Sequence, residues 1–282
     1  MKVGISIPLP AYTIDPAFMA SKSEALGFNS IWYAEHPATP VESQSPFPAT
    51  GGEVPWTYSH FTEPYIALAR ASGVTKNILL GTGITLVPQR HPMILAKEVA
   101  ALDFHSGGRF QFGIGTGWLR EEVELFGGDF ARRWTQTRES LDAMKAVWTN
   151  DAAGFEGEFY NFPPVRVYPK PMQKPYPPIY IGGAAKRVLK RIVDHADGWL
   201  PNRVTPEELT EHRAELNRLA EEAGRDPKSL RIVVYGQEPD AELFDALLKA
   251  GADEIVVRPQ HVDTEAEMGT QLENIARLLI KD

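Results

Sequence analysis

A glutamate and a histidine, Glu35-His36, stand just past a short β-branched run, Asn29 to Tyr33. An imidazole changes charge near neutral pH, so His36 at such a place can donate a proton or hydrogen-bond a ring oxygen. The plainer alternative is a structural or exposed pair. Two glycine-rich turns follow other runs. Gly113-Ile114-Gly115-Thr116-Gly117-Trp118 has a tryptophan where the dinucleotide fingerprint needs glycine. It is either a tight strand-to-loop turn or a loop lying flush beneath a planar ligand. Gly182-Gly183-Ala184-Ala185 is expected to open a helix, whose free amides and dipole would seat a phosphate. A plain tight turn explains these glycines equally well. Residues 36 to 61 hold Phe47, Trp56, Tyr58, His60 and Phe61 among prolines. So long a loop reads as a lid, with Phe47, Trp56 and Tyr58 as an apolar wall for a substrate, or as a surface excursion.

Other chemistries find little footing. Cysteine is absent, which excludes a catalytic thiol, a disulfide framework and thiolate metal sites. No histidine pair has metal-ligand spacing, so no metal is expected. His91, His105 and His195 stand near expected helix ends, and His212 and His261 read as surface residues. The cluster Arg132, Arg133, Arg138 and Glu139 is expected to make ion pairs rather than hold a phosphate. The net charge of −8 is spread along the chain, which argues against nucleic acid or an anionic membrane as partner. Pro8 and Pro10 interrupt the first apolar run too early for a secretory segment, so a cytoplasmic location is expected.

The elements that must position these residues repeat along the chain. Runs at Val3-Ile7, Asn29-Tyr33, Ile78-Thr85, Arg109-Gly115, Pro178-Gly182, Asp197-Leu200, Arg231-Tyr235 and Glu254-Arg258 each precede an amphipathic segment. Helix starts are marked by Asp15, Thr62, Pro92, Pro239, the Thr205/Glu208 capping box and Thr264 with Glu267. Residues 151–177 break the alternation with a hairpin at Phe155 to Tyr160 and a proline-rich arm. Eight alternations select a (β/α)8 TIM barrel over its competitor, a doubly wound open sheet, as one domain spanning 1–282. In such barrels chemistry sits at the strand C-terminal ends. Here those ends read Pro8-Leu9-Pro10, Glu35-His36, Gly83-Ile84-Thr85, Gly115 to Trp118, Gly182 to Ala185, Pro201-Asn202, Gly236-Gln237 and Arg258-Pro259.

Ile31-Trp32-Tyr33-Ala34-Glu35-His36, Leu80 to Ile84, Arg109 to Trp118, and Ile179 to Gly183 with Ala196 to Trp199 together resemble the bacterial luciferase-like flavin oxidoreductase superfamily, in order over roughly residues 1 to 205. Pro46-Phe47-Pro48 and the Gly-Thr-Gly-Trp turn look most like its F420-dependent branch. The resemblance implies F420 as cofactor, with FMN as the alternative, and His36 near the reactive ring centre as proton donor or stabiliser. It implies that Glu35 hydrogen-bonds the ring and that Gly83-Ile84 is a non-prolyl cis peptide behind it, next to Thr85. Thr116 and Gly117, beside Trp118, would flank the ring, and Gly182, Gly183 and Ala184, followed by Ala185, would hold the phosphate. Some sugar-phosphate-oxidising relatives carry a glutamate where Trp118 stands. That departure favours an apolar or aromatic small-molecule substrate.

The expected activity is hydride exchange between the deazaflavin and such a substrate. An FMN-dependent monooxygenase using oxygen is the alternative, and a flavin-binding barrel without catalysis is the alternative of another class. Relatives are often dimers, so a homodimer is admitted.

Overall fold

The computed structural model describes residues 2–280. Strands β1 (Val3–Ser6), β2 (Ser30–Tyr33), β3 (Leu79–Thr82), β4 (Thr85–Leu86), β5 (Phe110–Gly115), β8 (Ile179–Gly182), β9 (Gly198–Leu200), β10 (Arg231–Gln237) and β11 (Glu254–Val257) are all parallel to their neighbours. Their order runs β3-β2-β1-β11-β10-β9-β8-β5-β4, and β3 also pairs with β5, which closes the sheet into an eight-strand barrel. Register links Ile5 to Ile31 on one side and to Val257 on the other.

Strand alternation divides the core in two. Outward residues such as Ile5, Ile31, Leu80, Phe112 and Ile232 pack with the helices into one apolar layer. Inward residues Trp32, Tyr180, Leu200, Val233 and Val256 form a second cluster that plugs the lumen. Trp32 lies edge-on to Tyr180, with centroids 6.2 Å apart. Gly81 is forced here by space: a Cβ on it would stand 2.2 Å from the Trp32 ring.

The expected third strand is broken. Residues 78–85 run as β3, then a cis peptide at Gly83-Ile84, then β4. Surrounding helices are α1 (Pro16–Ala25), α2 (Pro64–Ser72), α3 (Pro92–Ser106), α4 (Arg120–Leu125), α5 (Arg133–Thr149), α6 (Val188–His195), α7 (Pro206–Glu222), α8 (Ala241–Lys249) and α9 (Glu265–Leu279). The Asp15 cap accepts from the Ala17 amide, and the Thr205/Glu208 box is complete in both directions. Two expected starts move by one residue. Glu63, not Thr62, caps α2 by accepting from the Ile66 amide. Asp240, after Pro239, caps α8. The hairpin is β6 (Ala153–Glu156) against β7 (Asn161–Val165), antiparallel, with Gly157 to Tyr160 as its turn. Pro163 and Pro164 are tolerated in β7 because this two-stranded ribbon leaves an edge free of ladder bonds. Helix α4 was not expected; six residues are too few for a periodicity signal. Among the described residues no helix is long and apolar enough to cross a membrane.

Candidate active site

His36 stands three residues past the end of β2, with its side chain 7% exposed. Its Nδ1 lies 2.8 Å from Oε2 of Glu122, a fully buried carboxylate on α4. The Gln89 side-chain amide donates to the same oxygen at 3.2 Å, and the Ala38 backbone amide donates to the other at 3.4 Å. Both of those partners are obligate donors, so Glu122 is used as an acceptor. The Nδ1 proton then belongs to the ring, and Nε2 is the atom left to exchange a proton. Sequence reading passed over Glu122. Its only signal is an acid inside Leu119 to Leu125, a segment whose contact with His36 exists only after the barrel closes.

The lid-like loop covers this histidine with aromatic rings. Tyr58, Phe61 and Trp118 stand 5.0, 5.3 and 5.7 Å from the imidazole, and Phe47 closes on Tyr58 at 5.0 Å and on Trp118 at 5.8 Å. The loop is tied down through Glu121, which accepts from the Gln44 amide at 2.8 Å and the Ser45 hydroxyl at 2.7 Å. Phe47 and Tyr58 thus sit where an apolar wall was expected. Trp56 does not: it opens a 3-10 turn, is 69% exposed, and its ring meets His60 rather than the His36 group.

Trp118 also lines a cavity of about 240 Å³. Ile84, Leu86, Thr116, Gly117, Trp118 and Gly182 to Ala185 all line it. Gly83, just before the cis bond, instead backs onto Tyr235, whose ring a Cβ there would strike. Thr85 faces away, as alternation along β4 requires. It is fully buried and its hydroxyl bonds Tyr65 at 2.9 Å, so it is not a lining residue. Glu35 is also turned from the cavity. Its two oxygens take the Leu86 amide and an Arg90 guanidinium nitrogen, each at 2.6 Å. Burial pushes its carboxyl up against the pull of Arg90. Glu35 therefore fixes the backbone of β4 from behind, where hydrogen bonding to the ring had been expected.

The turn Gly182 to Ala185, expected to open a helix, is built differently. Helix α6 begins at Val188, not at Ala184, and a turn closed by the Val188 amide on the Ala185 carbonyl precedes it. Gly183 holds φ +90°, a value other residues rarely adopt, which explains a glycine there. Two arginines stand beside this turn. Arg133 and Arg191 line the cavity, and burial followed by the charges of Arg187 and Arg133 pushes the Arg191 guanidinium below its ordinary range. Among the described residues neither has a carboxylate partner: Arg133 binds the Gly117 and Phe130 carbonyls, and Arg191 lies over Trp134. Arg132 makes the ion pair expected of its cluster, with Glu158, while Arg133 does not. A larger groove of about 400 Å³ between α2 and α3 lies on the outer wall behind Arg90, without glycine turns. Among the described residues no group of three or more His, Asp or Glu could hold a metal ion.

Comparison with known proteins bears on the family and the fold. The family model described as luciferase-like monooxygenase matches residues 17–238. The chain belongs to that family. An uncharacterized protein of Mycobacterium tuberculosis, Rv0953c, is 38% identical over 248 residues, covering 86% of each chain. Among solved structures, the coenzyme F420-dependent tetrahydromethanopterin reductase of Methanopyrus kandleri superposes with a TM-score of 0.77 at 19% identity, over 99% of both chains. The oxygenating constituent of 3,6-diketocamphane monooxygenase from Pseudomonas putida, in complex with FMN, gives 0.77 at 18% identity, over 99% of this chain and 97% of that one. At such identities these two likenesses establish the shared fold.

Proposed function

We propose that the chain is an oxidoreductase that binds F420 at the barrel mouth and exchanges a hydride with a small organic substrate carrying an apolar or aromatic body. The single observation behind this reading is the His36–Glu122 pair beside a glycine-lined cavity, which two arginines line without meeting a carboxylate among the described residues. Residues present fit the group. Ile84 and Leu86 offer an apolar shelf, and the amides of Gly183 to Ala185 with Arg133 and Arg191 suit a phosphate. Arg187, also without a carboxylate partner among the described residues, extends the positive field beyond what one phosphate needs. F420 carries acidic groups past its phosphate, which favours it over FMN.

When bound, the deazaflavin supplies two-electron hydride chemistry and reacts poorly with oxygen. The protein's part is to hold a proton at Nε2 of His36, keep that ring oriented through Glu122, and exclude water with Phe47, Tyr58, Phe61 and Trp118. The FMN-bound neighbour supports a second reading, an FMN-dependent monooxygenase.

Titrating the protein with F420 and FMN in parallel, followed by fluorescence, decides between them. Micromolar binding of FMN alone would reverse the preference. His36→Ala should keep cofactor binding and lower turnover by about 10²-fold or more; a cofactor that binds without turnover on any substrate screened would mark a non-catalytic flavin-binding protein.

A further inference from the structure

Two carboxylates side by side on α4 grip two different parts of the loop after β2. Glu121 holds its middle: Oε1 accepts from the Gln44 amide at 2.8 Å, and Oε2 accepts from the hydroxyls of Ser45 at 2.7 Å and Ser43 at 3.2 Å. Glu122 holds its root: Oε2 accepts from His36 Nδ1 at 2.8 Å, and Oε1 accepts from the Ala38 amide at 3.4 Å. Successive helix residues point about 100° apart, so one turn of helix reaches both segments at once. A third tie runs in the opposite sense. Leu119, at the head of α4, offers no side-chain cap, and the Ser45 hydroxyl accepts from the Arg120 amide at 3.1 Å in its place.

Helix α4 depends on these ties. At six residues it is far below the length at which a helix stands alone. Leu119 and Val123 are fully buried and anchor its inner side; a Cβ on Gly117 would stand 2.6 Å from Val123 Cγ2. On the outer side the loop supplies the cap and satisfies both oxygens of Glu121. A loop that swings away therefore uncaps the first turn of the helix, whose third residue is Glu122. The same loop carries Phe47 and Tyr58, which close with Trp118 over His36, and the Thr39 hydroxyl donates to the Tyr58 carbonyl at 2.9 Å, tying its two limbs together. Cover and orientation of the imidazole thus share one fixing point.

Resting on the hydride-transfer reading above, we infer that Glu121 is a positioning residue for His36. By holding Ser43 to Ser45 it seats α4, which in turn keeps Glu122 Oε2 on His36 Nδ1. Closing the loop over a substrate and aiming Nε2 at that substrate are then one event, so the proton-handling group is set only in the closed site. The aromatic rings alone would exclude water without fixing the imidazole.

NMR of the His36 ring, on the full chain without cofactor or substrate, tests this. The probe is exchange of the Nδ1 proton with solvent, its signal assigned by its loss in His36→Ala. Glu121→Ala and Ser45→Ala should each speed that exchange by about tenfold or more, as the loss of one or two hydrogen bonds implies. Coupling is reciprocal, so Glu122→Gln should quicken backbone exchange at Gln44 and Ser45 by a comparable factor. Glu42→Ala, in the same loop, should change neither. Unchanged Nδ1 exchange in Glu121→Ala, with Ser43 to Ser45 loosened, would leave Glu121 a tie for the loop alone and overturn the assignment. So would indifference of Gln44 and Ser45 to Glu122→Gln, equal acceleration in Glu42→Ala, or a wild-type ring with no protected Nδ1 proton. Undiminished protection of the barrel strands shows that the variants fold, and Ser45→Ala removes only a hydroxyl. Because no cofactor enters, a failure of the F420 titration alone would sink the hydride-transfer reading and leave this coupling legible.

Discussion

Glu122 Oε2 lies 2.8 Å from His36 Nδ1, 86 positions away in the chain, and the two side chains are 0% and 7% exposed. With Gln89 and Ala38 also donating to this carboxylate, the imidazole is oriented with an Nδ1 proton on Glu122, which leaves Nε2 to exchange a proton. Glu122→Gln places an amide there and forces one of three donors to lose its acceptor. Turnover should fall by about 10²-fold while cofactor affinity stays. Nitrogen NMR of the His36 ring provides the direct check. A wild-type neutral ring protonated on Nε2 alone would remove Glu122 from this positioning role.

The lid hangs on one carboxylate. Burial raises the Glu121 carboxyl, but hydrogen bonds from Ser45, Gln44 and Ser43 outweigh it and bring it from 4.5 to about 2. A folded-state value below the unfolded one gives stability that is full above about pH 4.5 and lost as pH falls toward 2. Hydrogen exchange of the segment around Ser43 to Ser45 should therefore quicken across that window, before the barrel strands loosen. Glu121→Gln should reproduce the loosening at neutral pH. Equal protection in variant and wild type would show that the aromatic contacts alone hold the loop.

Why some of this could be read from the chain and some could not follows from range. Strand runs and caps such as Asp15 and Thr205 are local, set by alternation and by donors two or three residues away, and they stand where expected. The mouth residues Gly117, Trp118, Gly182 and Gly183 were legible because glycine turns after strands betray themselves in sequence. The bonds of Glu35 were not legible, because a residue's neighbours do not say which way its side chain turns; the Leu86 amide and Arg90 engage both its oxygens. The separation of Trp56 from Phe47 and Tyr58 was hidden for a related reason, since loop aromatics look alike until the loop is folded. Arg133 and Arg191 needed the tertiary structure to show that no acid among the described residues pairs with them.

That last pair yields a contrast experiment. Arg191 lines the cavity near Gly183, so its charge should matter only to a ligand bearing a phosphate. FMN and riboflavin share a ring and differ in that group. Arg191→Gln should weaken FMN by about tenfold and leave riboflavin within about twofold, as charged hydrogen bonds of this kind imply. Flavin fluorescence reports both. Parallel losses for the two ligands would mean that Arg191 supports the ring or the fold, through its stacking on Trp134, and not the phosphate.

Glu35 permits a test of holding against touching. Its carboxylate is nearly sealed from solvent, with Arg90 shared among Glu35, Glu63 and Glu98. Glu35→Ala strands both the Leu86 amide and part of the Arg90 charge, so it should cost about 3–5 kcal/mol of stability, the usual result of breaking a buried pair. Glu35→Gln keeps an oxygen for the Leu86 amide and should cost less. If Glu35 only fixes β4, the conservative variant should bind FMN or F420 with an unshifted absorption spectrum, because no atom near the ring has changed. A side chain bonded to the ring would instead shift that spectrum when its charge is removed. Denaturant unfolding and the spectrum of the bound cofactor, measured on the same two variants, therefore separate support from contact. A shifted spectrum in a fully stable Glu35→Gln protein would return Glu35 to the ring.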